Sequence, residues 1–160
     1  MIRPARLEDS GAIADIYNWY IEHTIITFEE TPLTAADMAA RMTLTEPHCP
    51  WLVLELDGAV RGYAYAGIWK ARSAYRHSRE TTIYLHRDYG GAGYGRILYQ
   101  SLIDELRQGP IHVLIGGIAL PNPASVGLHE QLGFKQVGGF TEVGKKFGNY
   151  IDVGYWQLTL

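Results

Sequence analysis

The chain has 160 residues, 47% of them apolar and 19% charged, with a formal net charge of −3. That balance fits one soluble globular domain, residues 1–160, and shows neither a basic stripe for nucleic acid nor an apolar run of membrane length. Its single cysteine, Cys49, excludes an intramolecular disulfide and fits a reducing cytoplasm.

Ile2 to Arg6 reads as a short strand. Glu8, Asp9 and Ser10 supply acidic or capping groups to a helix, whose Ile13, Ile16, Tyr17, Tyr20 and Ile21 share one face. His23 to Thr31 is a loop with Phe28 in polar surroundings. Thr34 and Asp37 have capping-box spacing, and Met38 and Met42 mark the buried side of a second helix. Those methionines suit core filling better than ligand binding. Pro47 and Pro50 end that helix region, and Cys49 between them reads as a half-buried bystander.

Trp51 to Leu56 and Val60 to Ala66 read as strands joined at Asp57-Gly58, a strong hairpin signal. The stretch from Trp69 to Tyr75, WKARSAY, is polar and aromatic beyond the needs of a connector. Thr82 to Leu106 then reads as strand, glycine-dense turn and amphipathic helix. Ile83 and Leu85 alternate with more polar neighbours, and Leu98, Leu102 and Leu106 recur every four residues. Ile111 to Leu120 is an apolar run expected to form a strand buried on both faces. Asn122 caps a further helix with Pro123 at its first position, and Gly133 ends it. Phe134 to Val143 and Tyr150 to Leu160 form a closing antiparallel pair, with residues 144–149 as its turn. The order β-α-α-β-β-β-α-β-α-β-β predicts an α+β fold, a mixed sheet flanked by helices.

Gly90, Gly91, Gly93 and Gly95 lie within six positions, at the start of a helix. Such a turn lets backbone N–H groups approach an anion at the positive end of the helix dipole. The alternative is a mobile surface turn, and the glycines alone do not decide. A P-loop needs Lys and then Ser or Thr after its last glycine, but Arg96 and Ile97 follow Gly95. The dinucleotide fingerprint fails as well, because position 96 is not glycine. No cluster has metal-ligand spacing, so no metal is expected.

The remaining Gly93-Tyr94-Gly95 resembles the coenzyme A loop of the GNAT acetyltransferases, Gln/Arg-x-x-Gly-x-Gly/Ala, with Gly90 in the Gln/Arg place. The element order is that family's order too. The segments WLVLELDG, GYAYAGIWKARSAY, ETTIYLH, ALPNPASVGLHEQLGF and GNYIDVGYWQL resemble its phosphinothricin and methionine sulfoximine branch. The resemblance covers nearly the whole chain. It implies a mostly antiparallel sheet with one splayed strand pair and about four helices. It also implies acetyl-CoA as co-substrate, a small amino acid-like acceptor, and a homodimer with each site near the other subunit.

Acetyl transfer to an amine requires proton removal, a polarised carbonyl and a stabilised leaving thiolate. The resemblance places Tyr84, Leu85 and His86 at the acyl end, with the Leu85 N–H on the thioester oxygen; an ordinary sheet ladder is the other reading. Gly90, Gly91, Ala92, Gly93, Tyr94, Gly95 and Arg96 would hold the pyrophosphate. Asn122 and Ser125 would touch the coenzyme arm, though Asn122 equally reads as a helix cap only. Glu80 is either a solvated strand-end charge or, as the branch implies, a general base whose pKa burial raises. His129 stands where the family usually has Tyr and this branch has His. It is either a proton donor to the thiolate or a core histidine. Lys70, Arg72 and Tyr75 form a basic loop, with Arg72 suited to a carboxylate or phosphinate, and Phe28 walls the same pocket or packs beneath it. A non-catalytic acyl-CoA-binding module and a peptide N-terminal acetyltransferase are the competing functions; Glu80 together with Arg72 argues against the first.

Overall fold

The structure is a computed structural model that describes residues 1–44 and 46–160. Its elements are β1 (Ile2–Pro4), α1 (Ser10–His23), α2 (Ala35–Thr43), β2 (Trp51–Leu56), β3 (Ala59–Ile68), β4 (Ser78–Leu85), α3 (Tyr94–Arg107), β5 (Val113–Leu120), α4 (Pro123–Gln131), β6 (Lys135–Lys146) and β7 (Asn149–Thr159). This is the order predicted from sequence. The seven strands form one sheet in the order β1-β2-β3-β4-β5-β7-β6. Every neighbouring pair runs antiparallel except β4 and β5.

Alternation along the central strands feeds two cores. Leu52, Leu54, Ala64 and Ala66 face α3, where Leu98, Leu102 and Leu106 are buried together with Tyr99 and Ile103. Val53 and Tyr63 point the other way, against Ile13, Ile16, Tyr17 and Ile21 of α1 and Met38 of α2. The period of two in strands and 3.6 in helices produces both layers.

Local signals hold at most termini. Thr34 Oγ1 accepts the Asp37 N–H at 3.0 Å and the Asp37 carboxylate accepts the Thr34 N–H at 2.9 Å, which closes a capping box. Asn122 Oδ1 accepts the Ser125 N–H at 3.2 Å at the start of α4. Asp57 and Gly58 both take positive φ, +52° and +74°, as a two-residue hairpin turn requires. Asp9 departs from expectation: its carboxylate accepts from Arg3 at 2.8 and 2.9 Å and gives α1 no side-chain cap.

Three expectations need correction. β5 begins at Val113, and Gly117 on it is exposed, because beyond their first three pairs the neighbouring strand moves away. β4 begins at Ser78, which places Glu80 inside a strand rather than at its end. The closing hairpin turns on Phe147-Gly148 alone, with φ of +50° and +78°, so Gly144 belongs to β6 beside an irregularity in register.

Arg79 is 4% exposed and lacks a carboxylate partner among the described residues. Its guanidinium donates to the carbonyls of Pro47 (2.7 Å), His48 (3.1 Å), Arg76 (2.9 Å) and Ser78 (2.8 Å). It thereby ties the approach to β2 to the start of β4, next to Glu80. Arg79→Ala should cost about 3 kcal/mol, since several carbonyls lose a charged donor at once. A urea midpoint within error of the parent would contradict that.

Candidate active site

β4 and β5 pair at only three positions, Ser78 with Val113, Arg79 with Leu114 and Glu80 with Ile115. Beyond them β5 continues to pair with β7, and β4 with β3, so a gap opens inside the sheet. Backbone parity shows what faces that gap. The His86 N–H donates to the Arg61 carbonyl of β3 at 2.8 Å, whereas the His77 carbonyl accepts from His112 on the β5 side. Even-numbered residues of β4 therefore turn their polar groups to β3, and Ile83 and Leu85 turn theirs to the gap. The Leu85 carbonyl there accepts the Tyr20 hydroxyl at 2.6 Å.

Two cavities meet at the gap. One, of about 490 Å³, runs along the glycine turn and is lined by Gly90, Gly91, Gly93, Gly95, Arg96 and Leu85, among others. The second, of about 330 Å³, includes Glu80, Thr82, Phe28, Tyr17, Tyr65 and Tyr155 in its wall. Tyr84, Asn122 and Ser125 border both.

The glycine turn is built for close approach. Gly93, with φ +85°, is the N-cap of the 14-residue α3 and offers no side-chain cap, so the first N–H groups of that helix have no side-chain partner. A Cβ added at Gly91 or Gly93 would meet nothing within 4 Å. The space beside the helix terminus is thus open to an anion. Gly90 is extended, with φ −72°, and imposes no glycine requirement. Instead of a Gln or Arg there, the Arg61 guanidinium lies 5.1 Å over the Tyr89 ring, which stands 6.3 Å from Tyr94. Ala92, Tyr94 and His86 do not line the cavity; the His86 ring accepts the Asp88 N–H at 3.3 Å.

Glu80 lies on the same strand face as Thr82 and Tyr84, half-buried in the wall of the second cavity. Burial pushes its carboxyl pKa up, only partly opposed by the positive charge of Lys70. A desolvated carboxylate facing a cavity is the form a general base takes.

His129 is 4% exposed and both its nitrogens are engaged. Nδ1 lies 2.8 Å from the Ser125 carbonyl, which only accepts, so Nδ1 carries the proton. Nε2 then accepts from the Tyr99 hydroxyl at 3.0 Å, and that hydroxyl lies 2.5 Å from Thr81 Oγ1. Burial also lowers the imidazole pKa. Both features favour the neutral ring, which ties α4 to β4 through Tyr99 and Thr81 while it also borders the second cavity.

Lys70, Arg72 and Tyr75 are exposed, on the turn between β3 and β4, and none lines either cavity. The Lys70 ammonium lies 4.9 Å over the Trp69 ring. Sequence reasoning missed Tyr17, Tyr65 and Tyr155, which α1, β3 and β7 bring into the second cavity. Tyr17 was legible only as part of the shared face of α1, and no spacing in the sequence links the three.

A mostly antiparallel sheet opened at one parallel pair, with a glycine-capped helix beside the opening, defines a class. The chain belongs to the acetyltransferase (GNAT) domain family, which matches residues 2–154, and is an N-acetyltransferase. It is 39% identical over 156 residues to the phosphinothricin N-acetyltransferase of Streptomyces viridochromogenes, covering 98% of this chain and 85% of that one. It is 38% identical over 163 residues to the L-methionine sulfoximine/L-methionine sulfone acetyltransferase of Salmonella typhimurium, covering 99% and 94%. The crystal structure of a GNAT superfamily phosphinothricin acetyltransferase from Sinorhizobium meliloti in complex with AcCoA superposes with a TM-score of 0.95. Its identity is 34%, and 100% of this chain and 88% of that one are covered.

Proposed function

We propose that the protein transfers an acetyl group from acetyl-CoA to the α-amine of a small amino acid-like acceptor by direct attack in a ternary complex. The acceptor would be of the methionine sulfoximine, methionine sulfone or phosphinothricin type. The observation that carries this reading is the meeting of two cavities at the β4–β5 gap, one beside an uncapped helix terminus and one holding a desolvated carboxylate.

Acetyl-CoA, when bound, supplies an acyl group already activated as a thioester. The N–H groups at the start of α3 hold the pyrophosphate, with Gly91, Gly93 and Arg96 at its side. The Leu85 N–H, turned into the gap, donates to the carbonyl oxygen. Glu80 takes the amine proton, directly or through water, and burial makes it a stronger base than an ordinary carboxylate. With the His129 nitrogens occupied, the thiolate proton comes from water. The acceptor carboxylate is assigned to the mouth of the cavity, where the basic turn 69–75 lies outside the wall but its Lys70 acts electrostatically on Glu80. Phe28 and three tyrosines surround its side chain.

Thiol release from acetyl-CoA across free amino acids, methionine sulfoximine, methionine sulfone and phosphinothricin tests the whole reading. Turnover should favour the last three, and an amino acid should exceed its decarboxylated amine. Equal rates for that pair would remove the basis for carboxylate recognition.

The same reading takes the protein to be a cytoplasmic homodimer. Val137, Phe140, Val143, Phe147 and Tyr150 of the β6–β7 hairpin are each between 57% and 63% exposed, an apolar grouping suited to a second copy. Light scattering at micromolar concentration should give twice the monomer mass; a monomer mass would refute it.

A further inference from the structure

The outer wall of the acceptor cavity is the loop between α1 and α2, which contributes Ile26, Thr27 and Phe28. Two sets of contacts pin it. From beneath, the Tyr17 hydroxyl shares a 2.7 Å hydrogen bond with Thr27 Oγ1 and donates to Glu29, which is paired with Arg41 at 2.8 Å. From outside, the β6–β7 hairpin reaches over: Lys146 Nζ, 2% exposed, donates to the Thr27 carbonyl at 2.8 Å. Burial lowers its pKa, opposed by the charge of Glu30, and the ammonium also lies 5.1 Å over the Phe147 ring. A buried ammonium that donates to this carbonyl is costly to displace, so the backbone at Thr27 is held from both sides.

The Phe28 ring meets the same hairpin. A Cβ built on Gly144 would fall 2.2 Å from Phe28 Cε2, 2.5 Å from Cζ and 2.8 Å from Cδ2. The ring occupies the place where any other residue at 144 would put its side chain. With Thr27 pinned, added bulk at 144 cannot be absorbed by the loop backbone; the ring must turn, and its other side faces the cavity.

We propose that Gly144 is a positioning residue that sets acceptor specificity, by seating the Phe28 ring and so fixing the space left for the acceptor side chain. The proposal rests on the transferase reading above. Gly144 is on the strand next to the exposed turn, so no motif spacing connects it with Phe28, 116 positions earlier in the chain.

The test compares kcat/KM for methionine sulfone and for alanine in the parent, Gly144→Ala, Phe28→Ala and the double variant. Gly144→Ala should lower the methionine sulfone/alanine ratio about 10-fold or more, since a methyl-sized intrusion into a substrate pocket discriminates on that scale. The KM for acetyl-CoA should not change. In the double variant the clash is gone, so its ratio should match that of Phe28→Ala, a non-additivity that a general loss of stability would not produce. An unchanged ratio in an active Gly144→Ala variant overturns the proposal, whereas a parent that releases no thiol with any acceptor overturns the transferase reading. Should Gly144→Ala not fold, a folded double variant with the Phe28→Ala ratio supports the seat, and a double variant that also fails to fold overturns it. An aromatic NMR spectrum of the parent without a cross-peak between the Phe28 ring and Gly144 Hα overturns it too, independently of any assay.

Discussion

Glu80→Gln should lower kcat about 10²–10⁴-fold, the usual worth of a positioned general base, while acetyl-CoA binding is retained. The substitution preserves shape and removes only the proton acceptor. Glu80 sits in the acceptor cavity and not along the glycine turn, so the KM for the donor should stay within a few-fold of the parent. The pH profile provides a second readout. Burial raises the Glu80 pKa, so activity should climb with pH through a limb lying above the ordinary carboxylate range, and Glu80→Gln should lose that limb. Stability should move the opposite way. A carboxyl whose folded pKa is raised favours the fold when protonated, and that contribution is lost as pH rises through the folded value. Glu80→Gln should therefore melt higher than the parent at alkaline pH, with the gain shrinking in acid. Turnover within a few-fold of the parent would leave the amine to lose its proton by another path and would end Glu80's candidacy.

Gly93→Val should raise the KM for acetyl-CoA about 10–150-fold. That range is the loss of one hydrogen bond to a charged group, about 1.5–3 kcal/mol. Two effects combine. The backbone at 93 has φ +85°, which a β-branched residue does not adopt without strain, so the first N–H groups of α3 would turn away. The added side chain would also project into the open space from which the phosphate is read. Gly127→Ala is the control: it lies on α4, lines neither cavity and leaves nothing within 4 Å of the new methyl, so it should change little. The donor KM, measured in a variant whose circular dichroism matches the parent, decides the matter. An unchanged value in Gly93→Val would show that the turn does not hold the coenzyme.

What the sequence determined by itself is the local part. Leu98, Leu102 and Leu106 announced α3 because burial on one side of a helix repeats every three to four residues. Thr34 and Asp37 announced α2, Asn122 and Pro123 announced α4, and Asp57-Gly58 announced the β2–β3 turn, each through contacts spanning four residues or fewer. The glycine turn was legible for the same reason, since a helix N-terminus and its left-handed cap are neighbours in the chain. Glu80 stood out as a carboxylate among strand residues, and the gap of β4 then explained why it is tolerated there. The tertiary structure alone decided the rest. Ile111 to Leu120 looked like a strand buried on both faces, yet Gly117 is exposed, because hydrogen bonding to β4 stops after Ile115. Arg72 had the right chemistry for a carboxylate, but its turn carries it outside the cavity, and Tyr17, Tyr65 and Tyr155 converge there instead from three elements. His129 read equally as acid or filler, and only the fold showed that Ser125 and Tyr99 engage its two nitrogens at the edge of the cavity. Gly144 read as part of a turn until Phe28, from the other end of the chain, filled the space above it. A single chain's periodicity reports which face of an element is buried; it carries no record of which distant side chain meets that face, and the cavity is made of such meetings.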